Sequence, residues 1–245
     1  MPDPSETLRV LLIQVRDSDE VCLHERDCIR DITGLRDDQF TRINIVADPG
    51  FDTDAIDDHD AVIIGGAAVH SAVADDPFTP RLTAAVRRMV EHSKPLFGSC
   101  WGHQFIARAL GGAVVHDDAQ GEVGAFDVIA TPAGLADPVF GPAGSRYPVL
   151  MGHHDRVAAL PPSGVELARS ERCGHQAFRI DGRPVWGAQF HAELTPEALA
   201  DRLARYQQYK PTDDERSAAR PVETPEAAGI LRRFIAHAAA VAARP

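Results

Sequence analysis

The chain reads as an α/β protein: an open, mostly parallel sheet with helices on both faces, plus a small antiparallel β element. Three observations predict this. Short apolar runs alternate with segments of helical spacing over the first 112 residues, as expected for strands joined by crossover helices. From about 113 to 190 the chain turns β-rich, and DGRP at 181–184 is a turn signal between two of its runs. The last part returns to helix. At 245 residues the length suits one large α/β domain. We expect a single unit over 1–245, with a C-terminal helical extension over about 195–243.

RVLLIQV (9–15) is a short apolar run that predicts a buried strand, and about 20–31 predicts a helix. RINIV (42–46) is β-rich and followed by Asp-Pro-Gly, and AVIIGG (61–66) is an apolar run closed by a glycine pair. PRLTAAVRRMVEH (80–92) spaces Leu82, Val86 and Val90 on one helical face, with Pro80 suited to a first turn. PLFGS (95–99) predicts a strand, and WGHQFIARALGG a helix ended by glycines. The later β runs are AVV, VGAFDVIA, YPVLM, GVELARS, HQAFRI and PVWGAQF. TPEALADRLARYQQY begins with Thr195 as an N-cap and Pro196 at the first helical position. A polar stretch, KPTDDERSAARPVE, leads to an Ala-rich helix from near Thr224, suited to amphipathic packing or to covering a partner.

Composition narrows the function classes. A formal charge of −11, with Lys94 and Lys210 the two lysines, argues against nucleic-acid binding, which needs clustered cations. No apolar run is long enough to span a membrane, and MPDPSETLRVLLIQV lacks the basic start of a signal peptide. Cys22, Cys28, Cys100 and Cys173 are then expected to be reduced thiols in a cytoplasmic protein. Cys22, His24 and Cys28 lack a fourth ligand and fall in a predicted helix, so no metal is expected there. The clusters around His116 and His153 read as polar loop residues, and Asp155 as a turn residue.

GSCWGHQ (98–104) carries the chemistry. Gly98-Ser99-Cys100-Trp101-Gly102 has the G-x-nucleophile-x-G pattern, with a predicted strand before it and a helix after it. A cysteine on such a turn meets a helix N-terminus, whose dipole favours the thiolate and whose N–H groups can bind an oxyanion. Taken alone, the pattern fits a small buried residue in a strand–helix contact equally well. A thiol nucleophile needs a base and the base an orienter. GAQFHAEL (187–194) supplies both, because His191 and Glu193 are two residues apart in extended chain and share a face. The glycine pair Gly65-Gly66 ends its strand where ligands of open α/β sheets bind.

Gly98–Gln104 resembles the G-x-C-x-G-x-Q motif of class I (triad) glutamine amidotransferases, and GAQFHAEL resembles their G-x-Q-F-H-P-E motif. MGHHDRVAALPPSG (151–164) is similar to the Ser-His-Gly-Asp segment of the GMP-synthetase-like branch, and the resemblance covers roughly residues 8 to 194. It implies the flavodoxin-like amidotransferase fold and attack on a γ-glutamyl amide through a thioester, with no cofactor. Mapped residue by residue, it implies Cys100 as nucleophile, His191 as base and acid, and Glu193 as orienter. It further implies an oxyanion hole from the backbone N–H groups of Gly66 and Trp101. The γ-glutamyl group would be held by Gln104 and by backbone around Gly152, His153 and His154. The departures are Ala192 in place of proline, Gly65-Gly66-Ala67-Ala68 without the following proline, and Gly152 and His154 in place of Ser and Gly.

No phosphate loop and no S-G-G-x-D-S motif is present, so ATP-driven activation of an acceptor would fall to a separate synthase subunit. The expected substrate is a small γ-glutamyl compound, with ammonia passed on to that synthase. A stand-alone hydrolase of γ-glutamyl peptides or amines would use the same thioester chemistry. A non-catalytic interaction module would show no turnover and no modification of Cys100.

Overall fold

In the computed structural model, residues 7–205 and 222–243 are described. Eleven strands occur among them: β1 Val10–Gln14, β2 Phe40–Asn44, β3 Ala61–Ile64, β4 Leu96–Ser99, β5 Ala113–His116, β6 Glu122–Ala130, β7 Arg146–His153, β8 Asp155–Ala159, β9 Gly164–Arg169, β10 Ala177–Ile180 and β11 Val185–Ala188. The α-helices are α1 Asp19–Thr33, α2 Thr79–Glu91, α3 Trp101–Ala109, α4 Pro132–Ala136, α5 Pro196–Arg205 and α6 Pro225–Ala242. Nine strands form one mixed sheet in the order β2-β1-β3-β4-β11-β10-β9-β6-β7, and β5 with β8 forms a separate antiparallel pair. The β2-β1-β3-β4-β11 portion is parallel, and the pairings from β11 through to β7 are antiparallel. The parallel half positions the site, since β3, β4 and β11 all end at the same edge.

The unbroken apolar runs follow from burial on both faces. Val10 and Leu12, Ala61 and Ile63, and Phe97 pack with Ile29 of α1 and with Ile230, Leu231 and Phe234 of α6. Their neighbours in the chain (Leu11 and Ile13, Val62 and Ile64, and Leu96) pack with Leu82, Val86 and Met89 of α2 and Phe105 and Ile106 of α3. Alternate residues of a strand thus serve opposite layers.

Several expected elements change their limits. RINIV gives way to a strand that ends at Asn44, whose side-chain oxygen accepts from the Arg16 and Val46 N–H groups and so turns the chain. The run PVWGAQF stops pairing as a strand at Ala188, and His191 adds one isolated bridge to Leu150. Helix α1 is capped by Ser18, whose side chain accepts from the Val21 N–H, and ends at Gly34 with φ 74°. Cys22, His24 and Cys28 lie on it, with Cys22 buried and the Cys28 sulfur 3.8 Å from His24 Nε2. The polar stretch after α5 falls mainly at 206–221, outside the described residues.

Helix α6 belongs to the core rather than to an outer surface. Phe234 is fully buried, with ring centroids 5.4 Å from Phe97 and 6.1 Å from Trp186. Replacing Phe234 by Ala would leave a cavity between helix and sheet. We expect Phe234→Ala to lose about 3–5 kcal/mol in urea unfolding, whereas a peripheral helix would lose almost nothing.

Candidate active site

Between β4 and α3 the chain turns with no room for a side chain at Gly98 or Gly102. A Cβ on Gly102 would stand 2.2 Å from the Ile64 carbonyl oxygen, and one on Gly98 would stand 2.6 Å from the Gly102 carbonyl carbon. Packed this closely, the turn leaves Cys100 at φ 51° and ψ −102°, a conformation that L-residues avoid. Its N–H donates to Ala188 O at 2.8 Å, and the Gly102 N–H donates to Gly65 O at 3.1 Å. These two bonds tie the turn to β11 on one side and to the glycine pair after β3 on the other.

The Cys100 thiol faces a cleft of about 220 Å³. Trp101, Gln104, Gly152, His153 and His154 line the same cleft, together with His70, Ser71, His116 and Asp155. The fold therefore gathers Cys100 and these five other sequence-predicted site residues around one space. His191 and Glu193 stand behind it, 5% and 3% exposed.

The imidazole of His191 donates through Nδ1 to Glu193 Oε1 at 2.8 Å, and a Cβ placed on Gly66 would stand 3.3 Å from its Cε1 and 3.7 Å from Cys100 Cβ. Ser99 Oγ donates to Glu193 Oε2 at 2.9 Å, and Arg202 Nη1 donates to Oε1 at 3.3 Å. Burial by itself would lower the His191 pKa. The Glu193 carboxylate and the Cys100 side chain outweigh it and raise the value to about 9. Burial likewise pushes Glu193 up, but the imidazolium, and after it Arg202, holds this carboxyl well below the usual range. A histidine pKa raised this far keeps the ring protonated at neutral pH.

Not every expected contact is made. The Gly66 N–H, expected in an oxyanion hole, instead donates to the buried Glu25 carboxylate at 3.1 Å. That carboxylate is held in place by Arg16 Nη2 at 2.5 Å and Gln14 Nε2 at 2.9 Å. Trp101 opens α3, where a helical N–H has no acceptor within its own helix, so its backbone N–H suits the oxyanion role. His153 contributes only backbone to the cleft. Its ring turns inward, 3.3 Å from Glu122 Oε2 and 3.1 Å from Asp155 O. The Gln104 amide donates to Asp155 O at 2.6 Å and to Gln189 Oε1 at 3.0 Å.

Sequence reasoning missed Gln189, whose Nε2 donates to the Cys100 sulfur at 3.7 Å, although it sits inside GAQFHAEL. It missed Arg16, Glu25 and Arg202 as well, because no local pattern links them to Cys100. Asp155 is more than a turn residue: its carboxylate accepts from Ser71 Oγ at 2.5 Å and meets His116 Nδ1 at 2.8 Å on the cleft wall. Among the described residues, no three His, Cys, Asp or Glu side chains are grouped as metal ligands, and no helix is long and apolar enough to cross a membrane.

Residues 41–207 match the family model described as glutamine amidotransferase class-I. One subunit of the glutamine-hydrolyzing GMP synthase from Methanococcoides burtonii is 35% identical over 109 residues, which is 44% of this chain and 56% of that protein. The corresponding protein from Pyrococcus abyssi is 35% identical over 115 residues, 47% of this chain and 59% of that one. The chain thus spans less than two thirds of these relatives' length. Crystal structures of glutamine amidotransferases share the fold. One from Thermotoga maritima superposes with TM-score 0.76 at 21% identity over 95% of this chain and 98% of that chain. One from Methylobacillus flagellatus gives 0.70 at 22% identity over 95% and 92%.

The His191–Glu193 pair makes stability pH-dependent. A raised histidine pKa contributes stability that is complete below 6.5 and lost as pH rises through about 9. The lowered glutamate contributes above 4.5 and loses that contribution as pH falls below it. The urea midpoint of the wild type should therefore exceed that of Glu193→Gln most between those two ordinary values. The gap should narrow toward pH 9 and beyond, and a gap that widens there would contradict the pairing.

Proposed function

The chain belongs to the class-I glutamine amidotransferase family, and from that premise we propose that it hydrolyses the side-chain amide of glutamine and releases ammonia for a separate synthase subunit. One observation carries the reading. Cys100 sits on a strained turn at the floor of a cleft, beside an imidazole whose other nitrogen is held by a buried carboxylate.

In this reading the Cys100 thiolate attacks the γ-carbonyl carbon and pushes its electrons onto the oxygen, which the Trp101 N–H stabilises. His191 gives its proton to the amide nitrogen, the C–N bond breaks, and ammonia leaves a γ-glutamyl thioester on Cys100. Water then enters. His191 takes its proton, hydroxide adds to the thioester carbon, and collapse returns the thiolate and releases glutamate. Glu193 keeps the ring oriented and its Nδ1 protonated throughout, as an orienting carboxylate does in other triads. Gln104 and the backbone of Gly152–His154 would hold the γ-glutamyl group on the cleft wall. The separate synthase is suggested by the relatives' names, which describe one subunit of a glutamine-hydrolyzing GMP synthase.

The test is turnover of glutamine, and of a panel of γ-glutamyl amides, by wild type and Cys100→Ala, with the intermediate trapped for mass spectrometry. We expect a Cys100 adduct with glutamine, and a loss of at least about 10³-fold in kcat/KM for Cys100→Ala. Ammonia release should rise when a synthase subunit is added. An adduct with γ-glutamyl amides but not with glutamine would replace glutaminase by a stand-alone hydrolase. Wild type that forms no adduct with any of them would overturn the catalytic reading.

A further inference from the structure

Helix α5 follows directly on the segment that carries His191 and Glu193, and it delivers a cation to them. Leu199 of α5 packs with Leu194 and Leu150, against Cys28 of α1. Within that contact Arg202 is only 6% exposed. Its Nη1 is 3.3 Å from Glu193 Oε1 and 3.5 Å from His191 Nδ1. Its Nε and Nη2 are buried with no hydrogen-bond partner among the described residues. Arginine–carboxylate pairs are frequently bidentate, with two parallel N–H···O bonds. This one presents a single nitrogen, and presents it to the oxygen that the imidazole also uses.

The surrounding charges leave that role to Arg202. From α1, His24 and Cys28 lie within its field. From α5 itself come Asp201, which acts on His24, and Arg205, which is paired with Glu20. Behind Gly66, Arg16 is matched by Glu25. The nucleophile turn contributes Cys100 to His191 and the Ser99 hydroxyl to Glu193. A thiolate, an imidazolium and a carboxylate carry one net negative charge between them, and Arg202 brings the buried set to neutrality.

We propose that Arg202 is a positioning residue: by sharing Glu193 Oε1 with the imidazole, it limits how tightly that carboxylate holds the His191 proton, and so tunes the pH range in which Cys100 reacts. This rests on the reading of Cys100, His191 and Glu193 as the reacting set. Without the guanidinium the thiolate loses a stabilising charge, and the imidazolium gives up its proton less readily to the leaving amine. Both ionisations then move to higher pH.

The test follows Cys100 alkylation by iodoacetamide as a function of pH, read by peptide mass spectrometry, in wild type, Arg202→Met, Arg202→Gln and Arg202→Lys. Arg205→Met, at the more exposed end of the same helix, is the control. We expect the alkylation midpoint to rise by about half a pH unit or more in the uncharged variants. Arg202→Lys should restore most of the wild-type value, and Arg205→Met should leave it in place. The alkaline limb of kcat/KM on glutamine should move up with it. An unchanged midpoint in a folded Arg202→Met or Arg202→Gln protein, or an equal rise in Arg205→Met, overturns the proposal. Failure of both uncharged variants to fold overturns it too, because Arg202 would then be an anchor for α5. Alkylation needs no substrate, so a shifted midpoint without glutamine turnover removes the proposed activity and keeps this inference. Turnover with an unshifted midpoint does the reverse.

Discussion

The backbone of the β4–α3 turn packs so closely against β3 that Gly102 has no space for a methyl group beside the Ile64 carbonyl. That approach draws three strand ends together. Cys100 is left with positive φ, a conformation that costs on the order of 1–3 kcal/mol. Hydrogen bonds from the Cys100 N–H to Ala188 and from the Gly102 N–H to Gly65 hold it there. The Cys100 side chain thereby lines the cleft, with its sulfur 3.7 Å from Gln189 Nε2 in the segment that follows β11.

Around that turn lie two buried ionic clusters with different tasks. Glu193 gathers His191, Ser99 and Arg202. Glu25 gathers Arg16, Gln14 and the Gly66 N–H and supports the glycine pair from behind. Buried charges of this kind are costly unless they are paired and hydrogen-bonded, and each carboxylate here accepts from at least three donors. The clusters come close to each other: a Cβ on Gly66 would lie 3.3 Å from both Arg16 Nη2 and His191 Cε1. Gly66 is therefore the point where the two clusters meet.

Much of the site was legible because it is written in two compact segments. Cys100 stands out through the glycines two residues either side, and His191 with Glu193 through their spacing at the end of an apolar run. Gln189 was in view but its contact with the thiol was not, since a glutamine beside a strand carries no directional signal. Arg16, Glu25 and Arg202 were invisible for a different reason. A buried arginine looks like any surface arginine in a chain whose basic residues are almost all arginine, until its partner is known. The Gly66 N–H shows the same limit from the other side: its place after β3 was correct, but its direction depends on a carboxylate 41 residues earlier.

The sequence by itself determined the alternation of strands and helices and the fold class, and it marked Cys100, His191 and Glu193 as candidates, because periodicity and short-range spacing are local features. The tertiary structure decided which carboxylate captures which N–H, where the three unmarked arginine and glutamate side chains point, and that the final helix is core. Each of those is a contact between segments far apart in the chain. Its energy depends on burial and on charge pairing at a distance of a few ångströms, which no local pattern specifies.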